Sequence, residues 1–362
     1  MVVSKPPYKV PSMAEIEAVP WNGYNVVSTF SGGGGSCLGY RMAGFKVVYA
    51  NEFVEEAQKI YRLNHSAYLD TRDIRTVKPE DILQITGLKQ GEIDLFDGSP
   101  PCCAFSTAGS REKGWNQQRD YSDGKKQRVD DLFFEYARLL RGLQPKTFIA
   151  ENVSGLVKGS AKGYFKLILA ELKDCGYEVR AKLLNAAWLG VPQSRERLIF
   201  CGVRKDLAEK YNVPPAFPKP FPYSYTLKDA FNGLTQDEEQ RAFLIQEMKR
   251  YAIGKILAEI PKDPLKTQKG SRYFSLCRTS LYSASPTITQ ISGGLSVAGV
   301  CHPLEDRKFT IPELRRITSV PDDFKLTGDY SQQWERLARM VPPVMMKQIA
   351  QTVQSEILDK IR

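Results

Sequence analysis

The segment Phe30-Ser31-Gly32-Gly33-Gly34-Gly35 limits what this chain can fold into more than any other stretch of it. It separates the apolar run at Val26-Val27 from a helical stretch that leads into Val47-Val48-Tyr49-Ala50, with Glu52 just beyond. An apolar run, a glycine turn, a helix and a second apolar run make a βαβ opening. Glycines at such a turn take backbone angles closed to other residues and let a ligand approach the amides at the start of the helix.

A glycine turn without a ligand would look the same, and the acid after the second strand separates the two readings. Glu52 follows the glycines by roughly 20 residues, where a carboxylate can accept the ribose hydroxyls of a nucleoside. Either a dinucleotide or S-adenosylmethionine satisfies this pattern. Asp73, in Thr71-Arg72-Asp73-Ile74, follows the place where a third strand would end. It could accept from an adenine amino group or simply cap a turn.

Further strands are expected at Ile93–Phe96, Thr147–Ala150 and Leu198–Val203, with helices between them over Asp131–Leu143 and Tyr164–Cys175. The alternation implies an α/β fold with a mostly parallel, doubly wound sheet. Prolines 214, 215, 218, 220 and 222 then crowd a span that neither a helix nor a central strand tolerates. The reading is an N-terminal extension over 1–23, a cofactor-binding domain over 24–205 completed by 331–362, and a smaller domain over 206–330. Within the latter, Asp237 to Ile260 reads as helix. Lys262, Lys266, Lys269, Arg272 and Arg278 are interleaved with Tyr273, Phe274 and Tyr282, as on a nucleic-acid surface; a solvated basic loop is the alternative.

Composition narrows the function classes. The net charge of +10 favours a polyanionic partner. No apolar stretch reaches the roughly 20 residues that span a bilayer, and Met1 to Tyr8 lacks a signal-peptide core, so a cytoplasmic location is expected. Seven cysteines without regular spacing read as free thiols, and two histidines with no Cys-x-x-Cys argue against a metal site.

Three segments carry chemistry. Asp97-Gly98-Ser99-Pro100-Pro101-Cys102-Cys103 follows an apolar strand, so a rigid Pro-Pro turn presents a cysteine at the carboxyl edge of the sheet, where open α/β sheets bind ligands. Phe148-Ile149-Ala150 runs into Glu151-Asn152-Val153, delivering a carboxyl group to the same edge. Gln193-Ser194-Arg195-Glu196-Arg197 adds two guanidinium groups before another strand. A lone cysteine is usually a small buried hydrophobe, as Cys103 is read here. A thiol, a carboxyl and two cations beside a nucleoside site read as a reaction centre.

In this order the segments resemble the cytosine-C5 DNA methyltransferase family, with its Phe-x-Gly-x-Gly-Gly, Pro-Pro-Cys, Glu-Asn-Val and Gln-x-Arg-x-Arg signatures. Ser285 to Thr289 and His302 to Phe324 look like the family's later segments, so the resemblance spans about Asn25 to Val344. It implies a Rossmann-like methyltransferase domain with a small target-recognition domain, S-adenosylmethionine as methyl donor and double-stranded DNA as substrate. Cys102, Glu151, Arg195 and Arg197 become the catalytic residues, with Cys102 attacking cytosine C6. Phe30, Ser31, Gly32, Gly34, Gly35, Glu52, Phe53, Asp73, Ile74 and Pro100 surround the cofactor.

The same resemblance implies extrusion of the target base, with Arg111, Lys113 and Arg119 on a closing loop and Lys262, Lys266, Lys269, Arg272 and Arg278 touching DNA. It also implies a bacterial protein, a monomer on DNA, in restriction–modification or phage defence, alone or with a cognate nuclease or defence complex. Two positions depart from the family pattern: Cys103 replaces a glutamine, and Ala338-Arg339 replaces a Gly-Asn pair. The competing readings are a transfer-RNA methyltransferase of the same family, whose Cys-Phe-Thr tripeptide is absent, and a catalytically silent DNA-binding relative. A nicotinamide oxidoreductase leaves Cys102 and Glu151 unexplained.

Overall fold

The computed structural model describes residues 5–101, 118–120, 126–128, 132–157, 162–250, 276–290 and 299–362. The chain divides into two compact units, one of residues 18–184, 196–219 and 346–362, the other of 1–17, 185–195 and 220–345.

The first unit is built on a seven-stranded sheet. Its strands are β1 (Asn25–Thr29), β2 (Lys46–Asn51), β3 (Tyr68–Asp70), β4 (Leu95–Gly98), β5 (Thr147–Val153), β6 (Tyr177–Asn185) and β7 (Glu196–Arg204), in the spatial order β3-β2-β1-β4-β5-β7-β6. β1 pairs in parallel with both β2 and β4, so the strand order reverses between β1 and β4. That reversal is where a doubly wound sheet opens a crevice for a ligand. β7 runs antiparallel to β5, with Ile199 opposite Glu151 and Arg197 opposite Val153.

Strands covered on both faces read as continuous apolar runs, and β5 is buried from Thr147 to Asn152. Helices α1 (Gly35–Met42), α2 (Glu55–Asn64), α3 (Pro79–Thr86), α4 (Leu132–Leu143), α5 (Lys162–Asp174) and α6 (Lys205–Tyr211) alternate with the strands. Ile82 of α3, Leu139 and Leu140 of α4 and Ile168 of α5 share an apolar cluster with Val27, Phe96, Phe148 and Phe200 of the sheet. The Tyr136 ring stacks on Phe96 at 4.6 Å. Gly202 has a packing reason, because a Cβ there would lie 2.0 Å from a ring carbon of Phe148. The C-terminal residues return to this unit, where Asp359 accepts from the Tyr24 hydroxyl at 2.7 Å.

The second unit contains helices at Leu227–Phe231, Glu238–Arg250, Ile311–Ile317 and Tyr330–Arg339, and short parallel bridges joining Cys277–Arg278 to Val300–Cys301 and Ser285–Pro286 to Gln193–Ser194. Three of these helices start with a reciprocal capping box, Thr226 with Asp229, Thr310 with Glu313 and Asp329 with Gln332. The N-terminal segment belongs here: Lys5 bonds Asp229 at 2.6 Å, and the Tyr8 hydroxyl donates to the Arg316 carbonyl at 2.7 Å.

Several elements differ from the sequence expectation. β4 lies at Leu95–Gly98 instead of Ile93–Phe96, because its ladder pairs Gly98 with Thr29 on one side and Ala150 on the other. β5 runs on to Val153, so Glu151 belongs to the strand and not to the loop after it. β6 was not expected. The break between units falls at 219/220, after most of the prolines and not before them, and residues 331–345 and 1–17 belong with the second unit.

Candidate active site

The glycine turn lies between β1 and α1 and is held by backbone contacts. Ser31 N donates to Asn51 O at 3.0 Å, and Gly34 N to Ser31 O at 2.9 Å. Phe30, Gly32 and Gly34 take φ values of 54°, 56° and 90° in the left-handed region, a strained choice for Phe30 that packing against the apolar cluster supports. A Cβ on Gly34 would come within 2.0 Å of His65 Nε2, whereas one on Gly32 would meet nothing within 4 Å. Gly34 is therefore required by the protein beneath it, and Gly32 borders open space.

Glu52 is buried and fixed between two amides: Gly32 N donates to its Oε2 at 2.7 Å and Val54 N to its Oε1 at 2.7 Å. Gln58 of α2 donates to the carbonyls of Glu52 and Phe53, at 2.9 and 3.1 Å. Each carboxylate oxygen accepts more than one hydrogen bond, so this acid can also take ribose hydroxyls. Open space over Gly32 beside a held carboxylate suits the nucleoside of a cofactor such as S-adenosylmethionine. Asp73 caps the turn Ile74–Thr76, accepting from Arg75 N at 3.0 Å and pairing with Arg75 Nη1 at 3.2 Å. Of its two candidate roles, the cap is the one seen. Ile74 is buried in that turn.

At the ends of β4 and β5 a second group of side chains meets. Glu151 Oε1 lies 2.5 Å from Arg197 Nε, and both side chains are largely buried. The register explains the pair: Arg197 faces Val153, which shares a sheet face with Glu151, so the two are diagonal neighbours. Arg197 also donates to the Glu196 carbonyl at 2.7 Å. Asn152 Nδ2 donates to the buried Pro100 carbonyl at 3.3 Å, tying β5 to the turn that leads into Cys102.

Arg195 is buried in the other unit, where its Nη1 donates to the Ile288 carbonyl at 3.1 Å and neighbouring Gln193 Oε1 accepts from Ile288 N at 3.2 Å. Arg278 is a correction. It is 1% exposed and is bonded to Asp306 at 2.7 Å and to the carbonyls of His302 and Glu305, so it braces its own unit and does not face DNA. A cation within an aromatic-basic stretch carries no local sign that its partner is a distant aspartate.

Cys102, Cys103, Arg111, Lys113, Lys262, Lys266, Lys269 and Arg272 lie outside the described residues, and Arg119 is described only by its place in a short antiparallel ladder of Gln118–Asp120 with Lys126–Arg128. Among the described residues no disulfide joins the cysteines, no group of three or more His, Cys, Asp or Glu could hold a metal, and no helix is long and apolar enough to cross a membrane.

Sequence reasoning missed Asp97. Its carboxyl is buried in β4, where desolvation pushes it up to about 7 against the hydrogen bonds from Ser28 and Tyr40, and the nearby Glu151 charge pushes the same way. An acid directly after an apolar run was the available signal.

The fold and the site define an α/β protein with a glycine turn at the reversal of strand order and a buried carboxylate–guanidinium pair on neighbouring strands of the same sheet. The sequence profile of the C-5 cytosine-specific DNA methylases matches residues 24–355. The chain belongs to that family and is a DNA cytosine methyltransferase. It is 32% identical over 354 residues to the type II methyltransferase M.FnuDI of Fusobacterium nucleatum, covering 92% of this chain and 95% of that one. It is 29% identical to M.Sau96I of Staphylococcus aureus, covering 96% and 79%. In fold it is similar to a Spodoptera frugiperda DNMT2 variant, with a TM-score of 0.64, 17% identity and 94% and 99% of the two chains covered. A prophage-encoded candidate DNA modification methyltransferase of E. coli gives a TM-score of 0.67 at 22% identity, with 93% and 100% covered.

Proposed function

We propose that the protein transfers the methyl group of S-adenosylmethionine to C5 of a cytosine extruded from a specific duplex DNA sequence, through a covalent bond between Cys102 and cytosine C6. The observation that carries this reading is the Glu151–Arg197 pair on the strand that Asn152 ties to Pro100, at the entrance to Pro101-Cys102.

Bound at the glycine turn, S-adenosylmethionine supplies a methyl group made electrophilic by its sulfonium. Gly32 and Glu52 would hold its nucleoside, with Phe30, Ser31, Gly34, Gly35, Phe53, Asp73, Ile74 and Pro100 around it. Cys102 adds to C6 as thiolate, which places negative charge on the ring; Glu151 binds N3 and the exocyclic amino group and delivers a proton to N3 as that charge develops. C5 becomes nucleophilic and is methylated. Loss of the C5 proton to solvent then expels the Cys102 thiolate, and return of the N3 proton to Glu151 leaves neutral, aromatic 5-methylcytosine. Arg197 holds Glu151 in place for these proton movements, and Arg195 supports the base and its phosphate.

Arg111, Lys113, Arg119, Lys262, Lys266, Lys269 and Arg272 are assigned to DNA phosphates. The protein acts as a cytoplasmic monomer on duplex DNA and protects host DNA in restriction–modification or phage defence, with or without a cognate nuclease.

The test incubates the protein with labelled S-adenosylmethionine and genomic DNA, maps 5-methylcytosine by bisulfite sequencing, and repeats the assay with Cys102→Ser. Sequence-specific 5-methylcytosine that disappears with Cys102→Ser is expected. Labelled transfer RNA with unlabelled DNA would overturn the substrate, and full activity of Cys102→Ser would overturn the covalent route.

A further inference from the structure

The proposed reaction leaves a buried acid unused. Asp97 is 1% exposed in β4, just ahead of Gly98-Ser99-Pro100-Pro101-Cys102. Its Oδ1 accepts from the Tyr40 hydroxyl at 2.9 Å and its Oδ2 from Ser28 Oγ at 2.9 Å. Ser28 Oγ lies 3.0 Å from Ser31 Oγ, and Ser31 belongs to the glycine turn. Three side chains thus form a line from β4 through β1 to the turn, at the reversal of strand order.

The direction of hydrogen bonding along that line depends on its end. An ionised carboxylate can only accept. Ser28 must then give its hydrogen to Asp97, and Ser31 in turn gives its own to Ser28. That leaves the lone pairs of Ser31 Oγ as acceptors. A ligand group that suits them is an N–H donor, and the amino-acid part of S-adenosylmethionine carries an ammonium.

We propose that Asp97 is a positioning residue for the methyl donor: its carboxylate, acting through Ser28, orients the Ser31 hydroxyl as an acceptor for the cofactor's ammonium group. This rests on the reading of the glycine turn as the cofactor site.

The surroundings make the device sensitive to pH. Titratable groups act on Asp97 from Cys37 and Tyr40 of α1, Tyr61 of α2, Tyr136 of α4 and Glu151 of β5. Of these, the Glu151 carboxylate has the same sign as Asp97, and the rest are thiol or phenol groups. Desolvation, helped by the Glu151 charge, holds this carboxyl up to about 7 against the hydrogen bonds from Ser28 and Tyr40, so it takes a proton as the solution turns mildly acidic. Protonated, it donates one hydrogen itself and no longer dictates the direction of the serine pair.

The experiment measures binding of S-adenosylhomocysteine, which keeps the ammonium and does not react, by calorimetry from about pH 5.5 to about pH 8.5. Wild type should weaken as pH falls through about 7, while Asp97→Asn should bind about tenfold more weakly than wild type at high pH and show no such dependence, the scale of a lost hydrogen bond to a charged group. Ser28→Ala and Ser31→Ala, which leave Asp97 in place, should lose the same pH dependence and add little to Asp97→Asn in double variants. These serine variants also carry the test if Asp97→Asn fails to fold. Affinity of wild type that is flat with pH, or serine variants that keep its pH dependence, overturns the proposal. No binding by folded wild type at any pH would instead overturn the reading of the glycine turn.

Discussion

Replacing Gly34 by alanine probes the conformation on which the glycine turn depends. Two costs can be worked out from the structure. Gly34 sits at φ 90°, and holding an L-residue in the left-handed region costs about 1–2 kcal/mol. The new methyl would also stand 2.0 Å from His65 Nε2 and within 2.7 Å of both neighbouring ring carbons. That ring cannot move freely, because both its nitrogens are buried and it stacks on Tyr61 at 4.3 Å. Overpacking of this kind costs about 1–3 kcal/mol more. The sum of about 2–5 kcal/mol should lower the melting temperature by several degrees in scanning calorimetry.

The two costs separate in a His65→Ala background, where the ring is gone and only the backbone part remains. Gly34→Ala should then cost about 1–2 kcal/mol, leaving a coupling of about 1–3 kcal/mol between the two positions. Equal cost in both backgrounds would refute the steric argument. A Gly34→Ala protein that melts with wild type would refute the left-handed conformation itself.

Arg197→Ala removes the partner of a buried carboxylate and lets Glu151 turn; steady-state methylation at saturating DNA should show kcat reduced about a hundredfold, with Arg197→Lys intermediate. Arg278→Ala should lower thermal stability by about 2–3 kcal/mol through its lost bonds, while the slope of DNA affinity against salt stays unchanged; a shallower slope would return Arg278 to the DNA surface. The histidines His65 and His302 are held by burial at about 3 and about 4, below the ordinary value near 6.5, and His302 Nδ1 accepts from two backbone amides. The unfolded chain therefore binds more protons between those values, so stability should fall as pH drops below about 6.5 in melts run toward pH 4.5. Asp97 acts in the opposite sense: raised from 3.8 to about 7, it makes stability decline as pH rises across that window, and Asp97→Asn should remove this contribution.

The βαβ opening could be read from residue order alone. Glycines between two apolar runs and an acid after the second run are each short signals, and they depend on backbone angles and strand ends that neighbouring residues set. Gly32 and Glu52 meet through a 2.7 Å bond across the βαβ unit they announced. The pairing of Glu151 with Arg197 needed the antiparallel register of β5 and β7, which no local pattern encodes. β6 escaped notice although Tyr177, Val179 and Ala181 alternate with polar residues, a weak signal beside the apolar runs of the central strands.

Burial of charge was decided by tertiary structure alone. Arg278 was grouped by its sequence neighbours with a solvated basic surface, and Asp306 and two carbonyls from a later segment enclose it instead. Asp97 lies in an apolar strand, and only the approach of Ser28 and Tyr40 from other elements reveals what its carboxyl does. Periodicity and turn chemistry are properties of adjacent residues and can be read directly, whereas the free energy of a buried charge depends on partners that the fold brings from far along the chain.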